Sequence, residues 1–282
     1  MKEVEAGRGS PHGGVFLDIA NRRDPDYIKK KLPSMYHQFK ELGDLDITNE
    51  PMEVGPTVHY MMGGIKVDAE TSSSTIEGMY AAGESAAGLH GANRLGGNSL
   101  SDLLVFGNIS GYSAANYAAN SDERTIHKGV IEEAIEETLK SFNKDNTENP
   151  YKMHAELQDI MEKHVGIVRE EKSLDEGIKK LENMEKRLDN VKTTGGREYN
   201  PSWHLCLDLK NMIITSLAIA KAAKERKESR GGHTRLDYPK YDAELEKLNI
   251  IVRKGPEGIN VVKSEKNKMP EDLSNYVAKE AV

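Results

Sequence analysis

The sequence predicts an α+β protein in which a glycine-rich part precedes a three-helix bundle. Residues 56–120 are rich in Gly, Ala and Ser and poor in charge, which suits closely packed backbone. Residues 125–230 are charged, and their apolar positions recur every three or four residues, which predicts long amphipathic helices. Two short apolar runs, residues 248–252 and 259–262, flank a Gly-Pro turn and predict strands.

These changes of texture divide the 282 residues into four segments. We expect 1–55 to be a mixed entry segment and 56–122 to be the glycine-rich part. We expect 123–234 to be the helical domain and 235–282 to be a small C-terminal segment.

Charge and cysteine content exclude several classes of protein. The 39 Lys and Arg against 46 Asp and Glu give a net charge of −7, which disfavours nucleic-acid binding through bulk charge. The single cysteine, Cys206, excludes a disulfide framework and a multi-cysteine metal site. The longest charge-free apolar run, residues 212–220, is shorter than the roughly 20 residues that span a bilayer. With no hydrophobic signal sequence at the N-terminus, we expect an intracellular protein.

The helices follow from apolar spacing. Residues 25–43 predict an amphipathic helix that Pro33 interrupts early. In the helical domain, we expect Ser173 to cap a helix, with Glu176 at the capping-box position. The three predicted helical stripes are Ile131, Ile135, Thr138, Leu139 and Phe142, then Leu157, Met161, Val165 and Val168 continued by Leu174, Ile178, Leu181, Met184, Leu188 and Val191, and finally Leu209, Met212, Ile213, Ser216, Leu217 and Ala220.

The segment from Pro56 to Gly111 carries the chemistry. Residues 78–82 predict a short strand, residues 88–97 a glycine loop, and Ser99 an N-cap with Asp102 as its capping-box partner. A strand, a glycine loop and a helix start together direct free N–H groups and a positive helix end at a ligand.

Two basic side chains in this segment suit a small carboxylate. Arg94 offers a planar fork for bidentate contact, and His59 precedes Gly63 and Gly64 in another strand-like segment. If the two segments meet, His59 and Arg94 clamp a carboxylate. Neither the GxGxxG nor the GxxxxGK[ST] phosphate-binding pattern occurs in the chain.

Several motifs, in order, resemble those of the flavoprotein subunit of succinate dehydrogenase and fumarate reductase. They are His-Tyr-Met-Met-Gly-Gly from His59, Ala-Gly-Glu ending at Glu84, Gly-Ala-Asn-Arg-Leu-Gly-Gly-Asn-Ser-Leu from Gly91, and Glu-Ser-Arg-Gly-Gly-His-Thr-Arg from Glu228. The resemblance covers nearly the whole chain. It implies the C-terminal part of an FAD-binding domain with a capping-domain remnant at residues 1–55, followed by a three-helix-bundle domain.

The resemblance also implies roles for individual residues. His59 and Arg94 fall on the family's substrate-carboxylate histidine and arginine. Glu84 falls on the glutamate that holds the FAD ribose, and Asn98, Ser99 and Leu100 fall on the helix start that meets the flavin ring. The implied reaction interconverts succinate and fumarate by hydride transfer to or from FAD. Electrons then pass to an iron–sulfur subunit, and membrane-anchor subunits hold the complex at the inner face of the cell membrane.

The chain departs from the family in lacking the dinucleotide motif, the FAD-linking histidine and the proton-transfer arginine. We therefore expect a C-terminal half that is inactive alone, with the catalytic residues upstream of this chain. An L-aspartate oxidase-like flavoprotein and a non-catalytic helical docking module stay open as alternatives, although the motif spellings favour the succinate/fumarate branch. We interpret His90 as a loop-packing residue and Arg230 and His233 as structural, and we expect no metal site.

Overall fold

The computed structural model describes residues 3–55, 58–122, 125–143, 145–256 and 258–271. The chain forms two compact units, Met1–His59 and Tyr60–Val282. Pro56 and Thr57, which open the predicted chemical segment, lie outside the described residues. The predicted domain limits at 55, 122 and 234 stay predictions.

The first unit is a two-helix layer with a two-stranded antiparallel ribbon. Its elements are β1 (Val15–Leu17), α1 (Pro25–Lys31), α2 (Pro33–Gly43) and β2 (Met52–Val54), after an irregular turn at Val4–Arg8. Asp24 caps α1 by accepting the Tyr27 N–H at 2.9 Å. Pro33 interrupts the helix, as predicted, and begins a second one. Ile28, Ile47 and Met52 form the core of this unit.

The glycine-rich part of the second unit contains little regular structure before its long helix. Ile65 and Val67 each form an isolated bridge, to Ala86 and Ser74, and a single 3₁₀ turn covers Gly83–Ser85. The predicted strand over residues 78–82 is wrong, since only Tyr80 there forms a bridge, with Ser73. The long helix α3 runs over Asn98–Asn120.

A three-helix bundle forms the main core, as predicted, but with a different membership. Helices α5 (Pro150–Val165), α6 (Glu171–Arg187) and α7 (Pro201–Glu225) pack against one another. Helix α4 (Lys128–Leu139), the first predicted stripe, has no buried residue among those described and lies outside this core. The core residues are Met153, Leu157, Ile160, Val165, Leu174, Leu181, Met184, Val191, Leu209, Ile213, Leu217, Ala220 and Ala223.

The predicted cap at Ser173 is wrong, because α6 begins two residues earlier and Glu170 is its N-cap. The Ser173 hydroxyl lies 3.2 Å from Nδ1 of His164 on α5, so a contact between helices takes the place of the cap. Local capping preferences are weak, and a partner on another helix overrides them here.

The C-terminal segment adds short elements and a hairpin to the bundle. Strand β3 (Val168–Arg169) pairs in parallel with β4 (Thr234–Arg235), and a single helical turn, α8, covers Ala243–Glu246. Strands β5 (Leu248–Gly255) and β6 (Gly258–Glu265) form an antiparallel hairpin, which confirms both predicted strands and extends them.

Arg235 is a fully buried cation at the C-terminal end of α7. Its Nη1 donates to the carbonyls of Ala223 and Lys224 at 3.1 and 3.0 Å, which satisfies groups that a helix end leaves unpaired. Its other donors reach Asp237 at 2.7–2.8 Å and Glu171 at 3.0 Å. Removing either Arg235 or its acidic partners would leave a buried charge unpaired, which strongly destabilises a protein.

Glu228 is the matching buried anion. It accepts hydrogen bonds from Arg226 at 2.6 Å, from Arg230 at 3.1 Å and from the Asp242 N–H at 3.1 Å. Burial alone raises the pKa of Glu228, but these donors hold its pKa below the usual value. The Glu-Ser-Arg-Gly-Gly-His-Thr-Arg motif is therefore a paired, buried network, which agrees with a structural role for Arg230.

His233 belongs to the same network as a neutral ring. Arg169 donates to its Nδ1 at 2.8 Å, so Nε2 carries the proton and donates to the Arg226 carbonyl at 2.9 Å. Burial is the largest cause that lowers the pKa of His233; the bond to the Arg226 carbonyl opposes it, and the charges of Arg169 and Arg235 add to it, so that the pKa falls to about 4.

Neither a membrane-spanning helix nor a metal-ligating cluster occurs in the described part of the chain. No helix there is long and apolar enough to cross a membrane. No group of three or more metal-ligating side chains comes together among the same residues, and Cys206 packs against the bundle core.

We predict that replacing His233 with Gln removes one acid-sensitive contribution to stability. A depressed folded pKa means that the neutral ring stabilises the protein above pH 6.5, and that this contribution is lost as pH falls towards about 4. Between pH 7 and pH 4.5, the unfolding free energy of the wild type should fall by about 2 kcal/mol more than that of His233→Gln. Urea unfolding at both values measures this, and parallel losses in the two proteins would contradict it.

Candidate active site: the Arg94 loop

The glycine loop leads directly into the N-terminus of α3. Gly97, with φ +87, is the N-cap, no side chain caps the helix, and Asn98 and Ser99 are its first two residues. The predicted N-cap at Ser99 with Asp102 as its partner is therefore wrong. Asn98 and Leu100 are exposed and Ser99 is half-buried. The N–H groups of Asn98 and Leu100 donate to the carbonyls of Leu95 and Gly97, so this exposed end offers mainly the positive end of the helix dipole.

Gly83 and Glu84 place a tight turn against α3. Gly83 has a φ of +66, a left-handed conformation that favours glycine, and a Cβ there would lie 2.5 Å from Cδ2 of the exposed Leu103 side chain. The exposed Glu84 accepts the Met61 N–H at 2.8 Å through Oε1. Glu84 thereby ties the Tyr60–Met61 segment to the turn.

Asp102, on the first turns of α3, is buried beneath the loop. Its side chain is 5% exposed, and its Oδ2 lies 3.1 Å from Nε2 of the buried His90. The Tyr60 hydroxyl donates to the same oxygen at 3.4 Å, and the Tyr60 and His90 rings meet edge to face at 5.4 Å. Burial, followed by the negative charges of Asp102 and Glu84, raises the pKa of Tyr60.

This pairing shows what sequence reasoning missed. His90, interpreted as a loop-packing residue, does pack in the loop, but it also pairs with a buried acid twelve residues away. The only available signal was an acid on the otherwise uncharged start of α3, and the capping-box pattern accounted for it locally.

Arg94 lies over the face of the Tyr60 ring. The guanidinium carbon is 4.6 Å from the ring centroid, a cation–π contact. Nη1 reaches only the carbonyl of the neighbouring Leu95 at 3.3 Å, and the buried Nε has no hydrogen-bond partner. A buried guanidinium N–H without a partner is uncommon and calls for an explanation.

The structure brings Glu84, Arg94 and the start of α3 together in one unit, but His59 is the last residue of the other unit. The His59 side chain is exposed. The carboxylate clamp of His59 and Arg94 therefore stays a prediction.

The Gly231–Gly232 pair, in the motif that begins at Glu228, contacts the loop just before Arg94. Gly232 donates its N–H to the Ala92 carbonyl at 2.9 Å. A Cβ on Gly231, whose φ is +56, would lie 2.4 Å from the same carbonyl oxygen. The network of Glu228 and Arg235 thus holds Gly231 and Gly232 in contact with Ala92, two residues before Arg94.

Fold and site together define a class of protein. The glycine loop, the long helix α3 and the three-helix bundle agree with the class that the sequence motifs imply, an FAD-dependent oxidoreductase, and two family models match it. A family model described as an FAD binding domain matches residues 1–100, and one described as fumarate reductase flavoprotein C-term matches residues 154–270. The chain belongs to the succinate dehydrogenase and fumarate reductase flavoprotein family, whose cofactor is FAD.

Three relatives show the extent of the similarity. A fumarate reductase (CoM/CoB) subunit of Methanothermobacter marburgensis is 39% identical over 254 residues, 89% of this chain and 45% of its own. The succinate dehydrogenase flavoprotein subunit of Coxiella burnetii is 34% identical over 255 residues, 86% of this chain and 43% of its own. A chain of the Mycobacterium smegmatis Sdh1 structure in complex with UQ1 is 48% identical with a TM-score of 0.87, over 96% of this chain and 46% of that one. The chain thus spans about half the length of the relatives it matches.

We predict that Gly231→Ala destabilises the chain more than Gly91→Ala does. Both glycines have φ +56, but a Cβ on Gly91 meets open space. The shared left-handed strain costs about 1–2 kcal/mol, and the Ala92 clash adds about 1–3 kcal/mol at position 231 only. Urea unfolding followed by circular dichroism measures the difference. Equal losses in the two variants would contradict a close contact between Gly231 and Ala92.

Proposed function

We propose that this chain supplies the C-terminal half of a flavoprotein that interconverts succinate and fumarate. The observation that carries the proposal is the state of Arg94, a half-buried guanidinium held by its face with a buried, unpartnered Nε. Because the chain spans about half of its relatives, the proposed activity needs the part that corresponds to their other half as well.

Arg94 and His59 are the proposed substrate-binding residues. The planar fork of Arg94 matches the two oxygens of a carboxylate, and hydrogen bonds from charged donors contribute about 1.5–3 kcal/mol each. In the assembly, His59 approaches the same carboxylate. Together the two side chains orient the substrate and stabilise the charge that develops on it during reaction.

Glu84, Asn98, Ser99 and Leu100 are the proposed FAD-binding residues. Their placement suits the cofactor, because Glu84, Asn98 and Leu100 are exposed and the helix end carries no side-chain cap. Glu84 keeps one carboxylate oxygen beyond the Met61 contact for a ribose hydroxyl, and the α3 N-terminus favours negative charge on the ring edge. When bound, FAD supplies the hydride acceptor or donor. The group that moves the proton belongs to the other half.

An exposed apolar face on α3 supports the need for that other half. Among the described residues of this 23-residue helix, only Asp102 is buried. Large apolar side chains at its start are exposed, namely Leu100, Leu103, Leu104 and Val105, and Tyr112 follows on the same helix. A surface of this kind marks a protein interface. We assign it to the polypeptide that completes the FAD-binding domain.

The remaining partners follow from electron flow. With one cysteine in its sequence, this chain cannot ligate an iron–sulfur cluster. We propose that an iron–sulfur subunit receives the electrons and that membrane-anchor subunits attach the complex to the inner face of the cell membrane.

The experiment pairs this chain with the remaining half of the Mycobacterium smegmatis relative, which is 48% identical over the matched part. We expect a flavin band near 450 nm to co-purify with the pair, and fumarate to perturb it. Arg94→Ala should retain the band but weaken fumarate binding about 100-fold, the equivalent of about 2.7 kcal/mol, because a bidentate charged contact is lost. His59→Ala should also weaken it.

Arg197→Ala is the matched control, since Arg197 is an exposed arginine remote from the loop in sequence. It should bind fumarate like the wild type. Unchanged fumarate affinity in Arg94→Ala would overturn the role of this loop. Tight pairing without flavin uptake would favour a docking module instead.

A further inference from the structure

The Tyr60–His90–Asp102 cluster is a set of buried titratable groups that the proposed substrate and cofactor contacts do not use. Asp102 and His90 have side chains only 5% and 7% exposed. His90 is part of the loop that carries Arg94, and Asp102 on α3 lies beneath that loop. Burying a carboxylate is costly unless it is paired, so a buried pair at this position calls for an explanation.

The way in which Arg94 is held offers that explanation. A guanidinium bound edge-on by an acid has its fork occupied, whereas one that stacks on a ring keeps its in-plane donors for a ligand. Arg94 stacks on Tyr60 at 4.6 Å. Asp102, the nearby buried acid, is engaged by His90 and by the Tyr60 hydroxyl.

We propose that Tyr60 is a positioning residue that presents the Arg94 fork to a substrate carboxylate, and that the Asp102–His90 pair fixes the Tyr60 ring. The hydroxyl bond to Asp102 and the edge-to-face contact with His90 hold the ring in one orientation. The ring then supports Arg94 without consuming its in-plane N–H groups. This inference rests on the proposed function, because it gives Arg94 its orientation for dicarboxylate binding.

The contact of Gly231 and Gly232 with Ala92 complements this arrangement. It fixes the backbone two residues before Arg94, while Tyr60 supports the side chain. Backbone and side chain of one substrate-binding residue are therefore held by separate parts of the same unit. Orientation of this kind reduces the entropy that substrate binding must overcome.

The test measures fumarate affinity of the assembled, FAD-loaded protein through the flavin spectrum. Tyr60→Leu, which removes the ring, should weaken fumarate binding about tenfold, whereas Tyr60→Phe, which keeps it, should stay within about threefold of the wild type. Pentafluorophenylalanine at position 60 preserves the shape of Phe but withdraws charge from the ring face. It should bind fumarate several-fold more weakly than Tyr60→Phe, and it keeps the test decisive if the leucine variant fails to assemble.

A double-mutant cycle separates positioning from general damage. In an Arg94→Ala background, Tyr60→Leu should change fumarate affinity less than about twofold, because the group it positions is gone. A tenfold loss in that background, or equal affinity of the Phe and pentafluorophenylalanine proteins, would overturn the inference while leaving the proposed function intact. Wild-type affinity in Arg94→Ala alone would instead overturn the proposed function.

Discussion

The backbone contact between Gly231 and Ala92 is the constraint on which the site depends. It joins the buried charge network beside the helical bundle to the loop that carries Arg94. The network can hold this position because Glu228 and Arg235 are fully buried and fully paired, so displacing either leaves an uncompensated charge. A rigid bundle therefore acts as the support for a loop whose own sequence is rich in glycine.

Contacts from neighbouring residues explain how the glycine loop can hold one conformation. Glycine allows close approach but contributes no packing, so order must come from neighbours. Three neighbours supply it: the glycine pair at residues 231–232, the Asp102–His90 pair beneath the loop, and the Glu84 bond to Met61. A glycine-rich segment thus gains a fixed position, as the proposed carboxylate site requires.

The sequence predicted the bundle and the hairpin because their signals are local and periodic. A long apolar stripe such as Leu174, Leu181 and Met184 favours a helix that packs by one face. Two runs rich in β-branched residues around a Gly-Pro turn favour a hairpin. It failed where a tertiary partner replaces a local one: Asp102 pairs with His90 and leaves the helix uncapped, and Ser173 contacts His164. Helix α4 has a regular apolar stripe, but periodicity alone does not show which surface that stripe packs against. The site residues came from family motifs, whereas the support from Tyr60 appears only in three dimensions.

The most direct measurement is a crystal structure of the assembled flavoprotein with fumarate bound. We expect one fumarate carboxylate within about 2.7–2.9 Å of two Arg94 nitrogens, with the Tyr60 ring still stacked against the guanidinium. A fumarate bound away from the loop, or Arg94 paired with a protein carboxylate when fumarate is bound, would contradict the proposed role of Arg94.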